Sequence, residues 1–236
     1  MDTRSNSALR NPRQLPDNAI LTAEEYVKDP CGVSSLPWWK RDRVLPLALR
    51  VVHERELAEL RLSRTEGEGY FKLLHKLDEL DPCPQPVGVT IRKVNMPAEA
   101  DLCAEIIGRC YDDVHPSAEE VISWMDFPVY APDLWLIAED EFSGTPLGLG
   151  IAEFDPSIGE GILDWIQILP PSRGKGIGKA LVSALLEGLS KRAKFVTVSG
   201  RIDSPTNPEK LYRSAGFTGD DVWFVFNTQK LYGAKS

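Results

Sequence analysis

The stretch from residue 162 to residue 192 limits the possible folds more than any other part of this chain. Ile162 to Leu169 is apolar almost throughout, reads as a buried strand, and ends at Pro170-Pro171. Glycines follow at 174, 176 and 178. From Gly176 to Arg192 apolar residues recur at helical spacing, with Ile177, Leu181, Ala184, Leu185 and Gly188 on one side. Glycine at alternate positions lets successive backbone N–H groups turn toward one point, and a helix start there adds partial positive charge. Arg173, Lys175 and Lys179 contribute three cations. Strand, glycine turn and helix in this order predict an anion cradle built from the backbone of Gly174, Lys175, Gly176, Ile177, Gly178 and Lys179. Its expected ligand is a phosphate or pyrophosphate.

Two familiar phosphate loops do not fit. A Walker loop follows Gly-Lys with Ser or Thr to hold magnesium, whereas Gly178-Lys179 is followed by Ala180, which argues against a nucleotide-binding ATPase. A dinucleotide fingerprint needs GxGxxG, and these glycines are spaced GxGxG. The run Arg173-x-x-Gly176-x-Gly178 instead resembles the R/Q-x-x-G-x-G/A signature of the GNAT N-acetyltransferase superfamily. Further on, Asn207-Pro208-Glu209-Lys210-Leu211-Tyr212-Arg213-Ser214-Ala215-Gly216-Phe217 resembles the closing helix of that family. Pro208 suits a first helical position and Gly216 a left-handed helix stop. Leu163 to Pro170, Phe195 to Gly200 and Asp29-Pro30-Cys31…Ser34-Ser35-Leu36-Pro37-x-Trp39-Lys40 resemble a bacterial GNAT branch with an N-terminal extension. The likeness runs over roughly residues 22–228.

The rest of the chain is organised around that core. Residues 1–20 are polar and read as a flexible tail. Thr22 caps a short helix that stops at Asp29-Pro30, and a proline-punctuated loop carries Trp38 and Trp39. Leu47 to Val52 reads as a strand, Glu54 to Leu62 as a short helix, and Tyr70 to Leu80 as a helix carrying Phe71, Leu74 and Leu77. The three prolines of residues 82–86 mark a boundary. Beyond it strands are expected at Val87–Val94, Leu134–Ala138, Leu147–Phe154, Phe195–Ser199 and Val222–Phe226. Helices are expected at Pro97–Tyr111, from Ser117, and at Pro208–Ala215. The Pro97–Tyr111 helix places Leu102, Ile106 and Cys110 on one face. The domain reading is therefore a tail (1–20), an N-terminal extension packed on the core (21–86), an acetyltransferase domain (87–228) and a C-terminal tail (229–236). The fold class is α/β. The resemblance implies a GNAT-type mixed, mostly antiparallel sheet flanked by helices, with a small, mainly helical N-terminal region.

The resemblance also implies a chemistry: direct attack of a primary amine, on a small molecule or peptide, upon acetyl-CoA in a ternary complex. Acetyl-CoA, or coenzyme A, is then a co-substrate and no metal takes part. The family pattern implies that Ile166 and Ile168 bond the pantetheine arm through their backbone. The loop from Arg173 to Lys179 takes the pyrophosphate, Asn207 supports the coenzyme, and Tyr212 protonates the departing thiolate. A base must deprotonate the amine. Asp164 shares strand parity with Ile168 and is one candidate; Glu160 and Glu153 are others. A non-catalytic acyl-CoA sensor on the same scaffold is the rival reading. The Trp38-Trp39 loop either closes over the amine site or packs the extension onto the core.

Composition narrows the alternatives. The chain has 27 basic and 35 acidic residues, a net charge of -8, and no basic excess to attract nucleic acid. No apolar run reaches the roughly 18 residues of a membrane span, so no membrane partner is expected. Cys31, Cys83, Cys103 and Cys110 form no CxxC pair, which fits reduced thiols and a cytoplasmic setting. Cys103 and Cys110 read as packing thiols, and three scattered histidines supply no zinc site. Charge is also segregated: residues 101–170 hold one base against 15 acids, and residues 171–236 hold 11 bases against 5 acids. Such a split suits a cationic acceptor on one side and coenzyme phosphates on the other. Monomer and homodimer both remain open.

Overall fold

The computed structural model describes residues 21–42 and 46–229; both expected tails lie outside these, apart from residue 229. One eight-stranded sheet organises the molecule. Its strands are β1 (Leu49–His53), β2 (Glu68–His75), β3 (Val89–Lys93), β4 (Trp135–Asp140), β5 (Pro146–Asp155), β6 (Glu160–Ile168), β7 (Phe195–Arg201) and β8 (Thr218–Asn227). They lie in the order β1-β8-β2-β7-β6-β5-β4-β3. Among the described strands every neighbouring pair is antiparallel except β6 and β7. Parallel neighbours need a long crossover, and the 14-residue helix α4 (Ile177–Ser190), in our chain-order numbering, supplies it.

Helices cover both faces. Leu136, Ala138, Ala152 and Leu163 pack against Ile177, Leu181, Leu185 and Leu189 of α4. On the opposite face Ile137, Leu149 and Ile151 pack against Ala100, Cys103, Ile106 and Ile107 of α2 (Ala100–Gly108) and Val121 of α3 (Ala118–Ser123). The alternation of Leu136, Ile137 and Ala138 between the two clusters is the period-two rule of a strand. The short N-terminal helix α1 (Ala23–Lys28) and α3 both begin with the expected acid-assisted caps: Glu25 and Glu120 close capping boxes with Thr22 and Ser117. In α2 the buried face holds Cys103, Ile106 and Ile107, with Leu102 and Cys110 only partly buried at its margin.

Two expected helices are absent. Tyr70 to Leu80 forms β2 and a following loop, because a strand buried on both faces shows a continuous apolar run that periodicity cannot separate from a helix. β2 lies between β7 and β8, so the three-proline segment joins strands of a single sheet. Glu54 to Leu62 forms a single 3-10 turn, Glu54–Glu56, continued by hydrogen-bonded turns.

The described cysteines are all free. Burial pushes the thiols of Cys31 and Cys103 up to about 12, so neither forms appreciable thiolate near neutrality. A thiol reagent at pH 8 is therefore expected to modify half-buried Cys83 in the native protein and to spare Cys31 and Cys103 until denaturant is added. Immediate modification of all four would contradict this packing.

Candidate active site

The parallel pairing of β6 with β7 runs only from Glu160–Phe195 to Leu163–Val198. Past that point β6 continues to Ile168 beside β5, while β7 continues to Arg201 beside β2, and the two strands part. The Leu169 N–H donates to the Leu147 carbonyl on the β5 side. Main-chain direction alternates along a strand, so Ile166 and Ile168 turn their N–H and C=O groups toward the opening. The Ile168 carbonyl accepts at 3.0 Å from Nε of Arg173, in the loop that follows β6. This edge can take an extended polar chain as an added strand.

The glycine loop lies at the end of this edge. Gly174 and Gly176 have φ of 76° and 81°, a left-handed region that other residues enter at a cost. A side chain on Gly174 would meet nothing within 4 Å, and one on Gly176 only Pro86 Cγ at 3.7 Å, so the loop borders open space. Gly176 is the N-cap of α4 and offers no side-chain hydrogen bond. The first-turn N–H groups of Ile177, Gly178 and Lys179 have no acceptor among the described residues. Four such donors are left at every helix start, and here they face outward with Arg173 and Lys175 exposed beside them. The site fits a phosphate-bearing ligand. Asn207 caps α5 (Pro208–Arg213), its Oδ1 accepting from Lys210 N at 3.4 Å.

Tyr212, on α5, is held between Phe71 and Phe217 and exposes 6% of its surface. The Phe217 N–H returns to the Tyr212 carbonyl, and Gly216 takes φ 93° to permit that stop. No described residue hydrogen-bonds the Tyr212 hydroxyl, and that oxygen is not sealed from solvent. Burial, reinforced by Tyr111 and Asp164, raises its pKa well above the ordinary phenol value. The hydroxyl therefore keeps its proton at neutral pH.

Asp164 stands at a break in the β5–β6 register: Ile151 faces Trp165 and Ala152 faces Leu163, leaving Asp164 as the extra residue of a bulge. The bulge cancels the expected parity. Ile168 packs with the α4 cluster, whereas Asp164 and Trp165 line a cavity on the α2–α3 side. That cavity has a volume of about 220 Å³ and is walled by Trp124, Tyr130, Trp135 and Trp165, with Glu153, Asp164 and Lys40 at one side. Trp124 and Trp165 are stacked at 5.5 Å. Trp39 Nε1 donates to Glu153 Oε2 at 2.8 Å. Of the N-terminal loop, Trp38 is buried in a cluster with Tyr26, Ile158 and Phe195, Trp39 bonds the cavity residue Glu153, and Lys40 lines the cavity. Sequence reading left the aromatic wall and Lys40 out of the site. A cluster of three tryptophans between residues 124 and 165 was the available signal.

Glu160 does not suit the role of base. It is fully buried, and its carboxylate accepts from Tyr26 Oη at 2.7 Å, Thr197 Oγ1 at 2.6 Å and Trp38 N at 2.9 Å. Burial raises its pKa, while Lys72 and those donors pull it back. A carboxylate with its lone pairs so engaged anchors the N-terminal segment. Among the described residues, no group of His, Cys, Asp and Glu is placed to hold a metal, and no helix is long and apolar enough to cross a membrane.

Comparison with known proteins agrees with this geometry. Residues 131–219 match the family model described as an acetyltransferase (GNAT) domain. A GCN5-related N-acetyltransferase from Sphaerobacter thermophilus superposes with a TM-score of 0.65 at 22% identity, covering 75% of this chain and 57% of that one. One from Kribbella flavida gives 0.51 at 16% identity, covering 75% and 66%. A tandem GNAT protein from the clavulanic acid biosynthesis pathway gives 0.54 at 15%, covering 75% and 62%. The chain thus spans less than two thirds of each of these relatives. The comparison with curated protein sequences returns no match. Residues 131–219 thus match a GNAT acetyltransferase domain model, and the N-terminal strands complete the sheet in which they lie.

Proposed function

We propose that the protein is an acetyl-CoA-dependent N-acetyltransferase acting on a primary amine by direct attack in a ternary complex. The observation that carries this reading is the combination of parted strands with an uncapped helix start: the edge of β6 that has lost its β7 partner and the open N–H groups of α4 border one opening. Backbone N–H groups of residues 174–179 hold the pyrophosphate, with Arg173, Lys175 and Lys179 adding charge. Ile166 and Ile168 bond the arm, and Asn207 orients the coenzyme. Bound acetyl-CoA supplies an activated acyl thioester. An N–H at Ile168 polarises the acyl carbonyl.

The amine enters from the aromatic cavity. Asp164 takes the proton that the amine loses, and Tyr212 gives a proton to sulfur as the carbon–sulfur bond breaks. Glu153 is already bonded to Trp39 and contributes negative potential rather than proton transfer.

Calorimetric titration with coenzyme A tests the cradle. Gly176→Asp keeps the space its side chain needs but places a carboxylate at the helix start. It also adds about 1–2 kcal/mol of left-handed backbone strain. Coenzyme affinity is expected to fall at least about tenfold, or 1.4 kcal/mol. Unchanged affinity, or no heat with the unaltered protein, would overturn the cradle. An amine panel with acetyl-CoA then separates transfer from mere binding.

A further inference from the structure

We infer that the acceptor is a free α-amino acid with an apolar or aromatic side chain, recognised as a zwitterion by Asp164 and Lys40. This deepens the proposed function and rests on it. The cavity presents unlike charges side by side: Lys40 Nζ is 3.6 Å from Asp164 Oδ1 and 4.0 Å from a Glu153 oxygen. Both distances exceed a hydrogen bond, and no described residue accepts one from the Lys40 ammonium. The ammonium lies 4.7 Å from the Trp39 ring centroid and its side chain is 18% exposed, so it can still donate to a ligand at the edge of the cavity.

An α-amino acid carries its ammonium and carboxylate on one carbon, a spacing that matches such a pair. Its ammonium meets Asp164 and its carboxylate meets Lys40. A simple monoamine reaching Asp164 would put a second cation beside Lys40, offset only in part by Glu153 at 4.0 Å, and would bring the Lys40 donors no acceptor. A peptide N-terminus lacks the carboxylate and has the same defect. The remaining walls are Trp124, Phe127, Tyr130, Trp135 and Ile151, which suit an apolar side chain. The volume of about 220 Å³ lies below the roughly 300–1,000 Å³ of drug-sized sites, which favours a single residue over a longer ligand.

Lys40 is contributed by the N-terminal segment, so that segment sets specificity. Lys72 keeps it in place, donating to the Pro30, Ser34 and Leu36 carbonyls at 2.8, 2.9 and 3.0 Å.

The test compares L-phenylalanine, L-phenylalaninamide and 2-phenylethylamine, in binding to the coenzyme-loaded full chain and in acetylation. The unaltered protein is expected to prefer phenylalanine at least tenfold by both measures. Lys40→Met is expected to remove that preference without changing coenzyme affinity, and Lys40→Arg to retain it. A preference for the amide or the monoamine overturns the inference, as does a ratio unmoved by Lys40→Met. Coenzyme binding without recognition of any of the three refutes the substrate class and leaves the cradle standing. Absence of coenzyme binding fells the underlying reading and this one with it.

Discussion

Tyr212→Phe is expected to lower kcat by about 10²–10⁴-fold while leaving coenzyme affinity and folding stability nearly unchanged. The asymmetry follows from its surroundings. The ring packs on Phe71 and Phe217 at 6.1 and 5.8 Å, contacts that phenylalanine keeps. The hydroxyl makes no hydrogen bond to a described residue, so its removal breaks none. What disappears is a proton donor held in its neutral form by burial and by the nearby Tyr111 and Asp164. Steady-state kinetics with calorimetry decides the matter. A kcat that stays level across pH, with binding intact, would remove Tyr212 from the mechanism.

The second large effect concerns stability. Lys72→Met is expected to destabilise the fold by about 3–5 kcal/mol, since it strips a buried carboxylate of its counter-charge. Lys72 and Glu160 both lie in the interior, bridged by Tyr26, whose hydroxyl donates to Glu160 and accepts from Lys72 Nζ at 3.3 Å. Burial lowers the pKa of Lys72 and raises that of Glu160, and each group's charge offsets the other's shift. The methionine also takes the ammonium donor from the Pro30 and Ser34 carbonyls, while the Leu36 carbonyl keeps the Ser34 hydroxyl. Urea denaturation measures the loss, and Tm should fall by roughly 6–20 °C for a chain of this size. Adding Glu160→Gln should recover part of it, because the orphaned charge is then gone. A loss below about 1 kcal/mol would show that the pair is not what fastens the segment.

The glycine turn could be read from the chain because its cause is local. Only glycine enters the left-handed backbone of 174 and 176 freely, and a strand ending at Pro170 before a periodic helix fixes where that turn falls. The capping boxes of α1 and α3 were legible on the same ground, being contacts between residues three apart. The cavity was not. Asp164 was placed by alternation on the same face as Ile168, and a single extra residue in β6 moved it to the other. Glu160 reads from the chain as a candidate base, yet its three donors come from residues 26, 38 and 197.

Sequence alone therefore determined the glycine turn and the helix entry beside it, since glycine spacing and helix entry are properties of neighbouring residues. Which acids line the aromatic cavity was decided only by tertiary structure. Strand register, a one-residue bulge and a lysine arriving from residue 40 are set by packing across the sheet, and packing joins positions more than a hundred residues apart.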